Sequence, residues 1–287
     1  MRRRLIALDM DGTLFSSDHV ISAANKKAIK DAREAGHVVM LCSGRMPKDL
    51  LKLLADEGMD ELPVSGGNGA VTLVDGIMIN ETLMKREVSR KLYDWLEAND
   101  YPFMICTDKG HYASDRLFER SKYEHEANPS AETPYESTVA TKEEYRDRFN
   151  YTTIETFDDV PEGVGILKCY LMTPNMGKKE KAETFARNLS GLTVTSSFES
   201  NVEISDIDAH KGTGLSVVAA HYGIPMCDTV AIGDNFNDTG MFEAAGLSVA
   251  MGNAEEAIKE MCDVVTLKND EDGVAHAINQ YVLALTP

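Results

Sequence analysis

Leu5-Ile6-Ala7-Leu8-Asp9-Met10-Asp11-Gly12-Thr13-Leu14 begins with four apolar residues and then sets two aspartates one residue apart, just before a glycine. The apolar run reads as a buried strand and Gly12 as a turn, so Asp9 and Asp11 project from the strand's carboxyl end. In an open α/β sheet that end is where ligands bind. Two carboxylates this close resist joint ionisation unless a proton or a cation compensates them. A hard divalent ion such as Mg²⁺, held by one or two carboxylates and by phosphate oxygens of a substrate, is the natural compensator. Asp-x-Asp-Gly is also ordinary turn chemistry, and Asp is a common helix cap, so the tetrapeptide alone leaves both readings open.

Two further strand ends repeat the pattern. Ser22 reads as the N-cap of a helix through Ala28, Ile29 and Ala32 that ends near Gly36. Val38-Val39-Met40-Leu41-Cys42 then reads as a second buried strand, which stops at Ser43-Gly44-Arg45 before a helix with Pro47 at its first position and Leu50, Leu51 and Leu54 as its stripe. Ser43 therefore stands at a strand-to-helix turn beside backbone N–H groups that favour an anion. Downstream, Asp228 to Ile232 reads as a strand ending in Gly233-Asp234-Asn235-Phe236-Asn237-Asp238. So polar a strand end is a poor core and a good oxygen-rich flank for a metal, with Asp234 the expected ligand. Asn237 or Asp238 is also placed to cap the helix carrying Met241, Phe242 and Ala245.

Between these clusters lies Gly66-Gly67-Asn68-Gly69-Ala70. It is not a dinucleotide fingerprint, because Val71 to Val74 and Ile77 to Ile79 around Asp75-Gly76 read as a hairpin and no helix follows the glycines. Asn68, at the hairpin's entrance, is within reach of a substrate site. From Met84 to Asp206 the regular strand and helix rhythm is lost. Leu167 to Met172 and Val202 to Ile204 read as half-buried strands, Met176 to Leu189 as a helix, and the acid-rich stretch from Glu132 to Asp159 as an exposed region. The rhythm resumes at His210-Lys211-Gly212, where a helix with Leu215, Val218, Ala219 and Tyr222 runs to Gly223. Lys211 is not in a Walker A loop, since the glycine that should precede it is missing. The expected architecture is a doubly wound, mainly parallel α/β sheet formed by residues 1–83 and 207–287, with an α+β domain inserted at 84–206.

Composition narrows the function. A formal net charge of -18 over 287 residues argues against non-specific binding to nucleic acid or to an anionic membrane. The five cysteines are odd in number and show no Cys-x-x-Cys spacing, as for free thiols in a reducing compartment. Met1-Arg2-Arg3-Arg4 is followed by too short an apolar run for a secretory signal, and no stretch has the ~18 apolar residues of a membrane span. A cytoplasmic protein, monomeric or homodimeric, is expected.

Asp9-Met10-Asp11-Gly12-Thr13, Ser43-Gly44-Arg45, Lys211, and Gly233-Asp234 with Asn237-Asp238, in this order, resemble the four motifs of the haloacid dehalogenase superfamily of phosphotransferases. The long insertion after the hairpin bearing Asn68 is similar to the Cof-type branch, whose cap domain lies between the second and third motifs. His210 departs from the small residue expected before the lysine. The resemblance implies a Mg²⁺-dependent phosphatase of small phosphorylated metabolites, with Asp9 as nucleophile forming an aspartyl-phosphate and Asp11 as acid and then base, its carboxyl kept protonated by proximity to Asp9. It further implies that Mg²⁺ is held by Asp9, the Asp11 carbonyl and Asp234. Thr13, Ser43, Gly44 and Arg45 with the turn amides, and Asn68, would bind phosphate or substrate, and Lys211 would offset the charge, positioned by Asn237 and Asp238. A sugar phosphomutase on the same scaffold and a non-catalytic phosphometabolite sensor are the alternatives.

Overall fold

The computed structural model of the chain describes residues 2–59, 61–128, 141–196 and 199–284. The chain divides into two units: one comprises Met1–Glu81 and Ala209–Pro287, the other Thr82–Asp208.

The first unit opens with β1 (Leu5–Leu8), α1 (Ala23–Glu34), β2 (Val38–Cys42) and α2 (Pro47–Asp56). Ser22 caps α1 as expected, its hydroxyl accepting from the Asn25 amide at 3.0 Å. Pro47 opens α2, where its fixed φ suits the first turn and its missing N–H costs nothing. β3 (Val64–Gly66), β4 (Val71–Val74) and β5 (Ile77–Glu81) follow. β4 and β5 are the hairpin expected around Asp75-Gly76. β3 was not legible: its three residues are too short a run to show a period, and its pairing with β2 fixes it as a strand.

The inserted unit contains α3 (Arg86–Ala98), β6 (Phe103–Thr107), β7 (Gly110–Ser114), α4 (Leu117–Ala127), α5 (Lys142–Phe149), β8 (Tyr151–Ile154), β9 (Ile166–Met172), α6 (Met176–Arg187), β10 (Leu192–Thr195) and β11 (Asn201–Asp206). Its six strands form one sheet in the order β10-β11-β9-β6-β7-β8, antiparallel except between β7 and β8. Leu92, Leu96, Ala182 and Ala186 of α3 and α6 pack with Cys169, Leu171, Val202 and Ile204 on one face. Trp95 stacks on Phe185 with ring centres 4.3 Å apart. On the other face Leu117 and Tyr145, from α4 and α5, pack against Met104, Ala113 and Tyr151. The two strands expected to be half-buried are therefore almost wholly buried, and the polar side of β9 and β11 is stabilised by a Lys168–Glu203 ion pair at 2.6 Å. Of the stretch expected to be exposed, residues 132–140 lie outside the described ones. Tyr145, Tyr151, Ile154 and Phe157 are instead core residues, because the aromatics there face the sheet while the acids face outward.

The chain returns to the first unit through α7 (Lys211–Tyr222), β12 (Thr229–Gly233), α8 (Thr239–Ala244), β13 (Leu247–Ala250), α9 (Glu256–Met261), β14 (Val264–Val265) and α10 (Gly273–Ile278). The sheet order is β14-β13-β12-β1-β2-β3-β4-β5, parallel up to β3 and antiparallel at β4 and β5. Alternation along β1 sends Ile6 and Leu8 to a core shared with α1, α2 and α10, and Leu5 and Ala7 to one shared with α7, α8 and α9. All four side chains are fully buried, which makes β1 the central strand of a doubly wound α/β sheet with an inserted α+β domain, as expected. Leu8 pairs with Ile232 on one side and with Leu41 on the other. That register brings Asp9, Ser43 and Asp234 to one edge of the sheet. Among the described residues no helix is long and apolar enough to cross a membrane.

Candidate active site

At that edge the Asp9 amide still donates to the Ile232 carbonyl at 2.9 Å, so the last ladder bond of β1 holds the residue in line with the strand. Its side chain is buried. Lys211, the first residue of α7, is fully buried as well, and its Nζ lies 2.5 Å from Asp9 Oδ1 and 2.5 Å from Asp238 Oδ1. The remaining Asp238 oxygen accepts the amides of Asp234 and Asn235 at 2.9 and 3.0 Å. Asp238 thus fixes the turn after β12 and the lysine together; it stands at the N-cap position of α8, as expected, but its side chain makes no cap bond there. Nor does Asn237; Asn235 caps the short turn before that helix, because its side chain precedes the free amide of Phe236.

Asp234 completes the cluster: Asp9, Asp234 and Asp238 each place a carboxylate oxygen within 4.8 Å of the others. The Thr13 hydroxyl, expected on a bound anion, is fully buried and donates to Asp234 Oδ1 at 3.1 Å. It orients that carboxylate instead. Gly12, at φ 81°, belongs here for a steric reason, since a Cβ would fall on the Asp234 carboxylate.

Electrostatics follow from burial. Asp9 is held well above the usual carboxylate range by desolvation and by repulsion from Asp238 and Asp234, against the attraction of Lys211. Asp234 is raised to about 6, again chiefly by burial and then by Asp238. Burial opposes the charge of Lys211, but Asp238 and Asp9 outweigh it and hold the ammonium above its ordinary value. Three carboxylates against one ammonium leave the cluster short of positive charge.

Asp11 is not part of it. Its carboxylate is exposed and is gripped by both ends of the Arg45 fork, Nε to Oδ2 at 2.9 Å and Nη2 to Oδ1 at 2.6 Å. The like charges that crowd Asp9 are therefore Asp234 and Asp238, which corrects the expected crowding of Asp11 by Asp9: after β1 the chain bends at Asp11 and Gly12 and turns the second carboxylate away. Arg45 also lies over the Phe15 ring, 5.5 Å from its centre.

Ser43 is buried, and its hydroxyl accepts the Arg45 amide at 3.2 Å, so the Ser43-Gly44-Arg45 turn is closed by its own side chain. The glycine cluster packs onto that turn, with the Gly67 amide on the Arg45 carbonyl at 2.8 Å and the Asn68 amide on the Ser43 carbonyl at 2.9 Å. Asn68, buried at φ 57°, receives Asn237 Nδ2 at 3.4 Å. The side-chain oxygen of Asn237, Oδ1, is buried with no partner among the described residues. His210 is exposed, and its ring lies against Gly212 and Gly240, where a Cβ at either would meet Nδ1.

One residue at this edge was passed over in the sequence. Asn253, in the loop after β13, donates from Nδ2 to the Gly12 carbonyl at 2.8 Å, with Asp234 Oδ2 at 3.5 Å. The signal was there: Met251-Gly252-Asn253 is a further polar turn after an apolar strand.

The sequence profile of the haloacid dehalogenase-like hydrolases matches residues 6–278. The phosphatase YwpJ of Bacillus subtilis is 32% identical over 280 residues, covering 95% of this chain and 98% of its own. The 5-amino-6-(5-phospho-D-ribitylamino)uracil phosphatase YwtE of the same organism is 34% identical over 289 residues, covering 96% and 97%. The solved structure of a haloacid dehalogenase-like hydrolase from B. subtilis superposes with a TM-score of 0.80 at 31% identity, covering 97% of this chain and 100% of its own.

Proposed function

The chain belongs to the haloacid dehalogenase-like hydrolases and is a phosphatase, and from that premise we propose that it hydrolyses small phosphorylated metabolites with Mg²⁺, through an aspartyl-phosphate on Asp9. The observation that carries this reading is the buried Lys211 at 2.5 Å from both Asp9 and Asp238, with Asp234 beside them. An all-oxygen donor set with two carboxylates raised by burial and by repulsion from Asp238 fits a hard divalent cation, which would lower the cost of ionising both.

Asp9 and Asp234, with the Asp11 carbonyl, are the residues that would hold Mg²⁺. When bound, the ion neutralises charge that develops on the phosphoryl oxygens. An Asp9 carboxylate oxygen attacks phosphorus, the bond to the leaving alcohol breaks, and Asp11 gives that alcohol its proton. Asp11 then takes a proton from water, whose oxygen attacks phosphorus and returns Asp9 with release of orthophosphate. For this, the Asp11 carboxyl must leave the Arg45 fork. Lys211 keeps Asp9 oriented and offsets its charge, and Asp238 holds Lys211. Ser43, Gly44, Asn68 and Asn237 line the turns that would receive phosphate or substrate; Asn237 Oδ1, without a partner among the described residues, can only accept and so suits a substrate hydroxyl, not a phosphate oxygen.

The inserted domain is the natural source of substrate choice, as the cap of a phosphatase operating in the cytoplasm. YwtE is named for a ribityl phosphate carrying a heterocycle, so sugar and sugar-alcohol phosphates, with and without a heterocycle, are the first substrates to test. The test is phosphate release from such a panel and from p-nitrophenyl phosphate by the purified chain. Turnover that needs Mg²⁺ and stops in EDTA supports the reading; turnover indifferent to the metal, or none on any phosphoester, overturns it.

A further inference from the structure

The amide of Asn253 has a fixed orientation. Its Oδ1 accepts the backbone N–H of Asn269 at 3.0 Å, and since a backbone amide can only donate, the carbonyl end must face Asn269 and the NH₂ end must face Gly12. That NH₂ group donates to the Gly12 carbonyl at 2.8 Å and stands 3.5 Å from Asp234 Oδ2. The other oxygen of Asp234 receives the Thr13 hydroxyl at 3.1 Å. One carboxylate is thus held from both sides, and each holder also belongs to or binds the turn after Asp9. Asn253 is neutral, so it steers the Asp234 carboxylate without cancelling its charge, which an arginine or lysine in its place would do.

We propose that Asn253 is a positioning residue that sets Asp234 and the Gly12 turn at the spacing a divalent cation requires. This rests on the reading of Asp9 and Asp234 as Mg²⁺ ligands. Outer-shell partners of metal-binding carboxylates are worth about 10- to 100-fold in metal affinity, and Asn253 supplies such a partner from a loop remote in sequence.

The alternative is that Asn253 only staples two loops. Asn269 provides the control: its side chain donates to the Phe15 carbonyl at 3.0 Å and so staples the same turn, whereas the side chains that donate to Asp234 are those of Thr13 and Asn253. Mg²⁺ alone is titrated calorimetrically into the full chain and its variants, and melting temperatures are read in EDTA. Asn253→Ala is expected to bind Mg²⁺ about 10- to 100-fold more weakly than wild type, with kcat recovering at saturating Mg²⁺, while Asn269→Ala keeps its Mg²⁺ affinity. Asn253→Ser, suited to loops but too short to span Gly12 and Asn269, carries the test if the alanine variant does not fold. Mg²⁺ affinity within twofold of wild type in the folded Asn253 variant, or an equal loss in Asn269→Ala, overturns the inference. A wild-type chain that takes up no Mg²⁺ overturns the metal reading itself, a result distinct from either.

Discussion

Arg45 grips both carboxylate oxygens of Asp11, at 2.9 and 2.6 Å, on the exposed side of a turn whose other aspartate is buried against Lys211. Two residues apart in sequence, the acids have opposite environments, which is how a site divides labour between chemically equal groups. If Asp9 is the nucleophile and Asp11 the acid and base, removing each has a different signature. Asp9→Asn should release no phosphate. Asp11→Asn should still be phosphorylated by p-nitrophenyl phosphate, whose leaving group needs no proton, and then stall for want of a base. The expected trace is a burst of about one equivalent of p-nitrophenolate followed by turnover slowed about 10²- to 10⁴-fold. Arg45→Ala leaves Asp11 in place and should turn over repeatedly. Rapid-mixing absorbance decides it, and undiminished steady turnover in Asp11→Asn would sink the assignment.

Lys211 touches Asp9 and Asp238 from complete burial, so its loss leaves two carboxylates facing each other without a cation. Breaking a buried pair from one side costs about 3–5 kcal/mol. Lys211→Met, close in length, should therefore lower the metal-free melting temperature and cut turnover at least about 10²-fold. Adding Asp238→Asn removes one orphaned charge and should restore part of the stability but none of the activity. Thermal melts of the single and double variants measure the coupling; additive losses would mean that the pair is not acting as a unit.

The strand ends were readable because chemistry and hydropathy change at one residue: Leu8 to Asp9, Cys42 to Ser43, Gly233 to Asp234. What joins them was not. Lys211 looks like any lysine at a helix start, and nothing local tells that its partner lies 202 residues away. Asp11 read as Asp9's electrostatic partner because one residue separates them, and although Gly12 marked a turn, nothing in the sequence told that the turn sends the Asp11 carboxylate to Arg45. In the inserted domain Leu167 to Met172 read as a half-buried strand, and burial of the Lys168–Glu203 pair shows how a polar face is kept dry.

The raised Asp234 gives a pH dependence of a definite sign. Its folded value of about 6 stands above an ordinary 3.8, so the folded state binds that proton more tightly than the unfolded one. The stability this contributes is fully present below about pH 3.8 and is lost as pH rises through about 6. Asp234→Asn cannot titrate, so in EDTA the variant should gain on wild type as pH rises from 4.5 to 7 in that window. Mg²⁺, which needs the ionised form, should restore wild type above pH 6 and leave the variant unmoved. Melting curves that run parallel across this range would contradict the assignment.

Gly12 and Gly36 both hold left-handed backbone, at φ 81° and 90°, but only Gly12 has a neighbour where a Cβ would stand. Gly36→Ala meets open space, and its cost is the strain of an L-residue in that region, about 1–2 kcal/mol. Turnover per folded molecule should not change. Gly12→Ala carries the same strain and in addition pushes the Asp234 carboxylate off its place against Thr13 and Asn253. A displacement of about 1 Å in such a site is worth about 10² in rate, so activity should fall far more than stability does. Chemical denaturation and phosphate release, measured on the same preparations, separate the two effects. Equal activity losses in the two variants would show that the turn tolerates the displacement and that the Gly12–Asp234 approach is incidental.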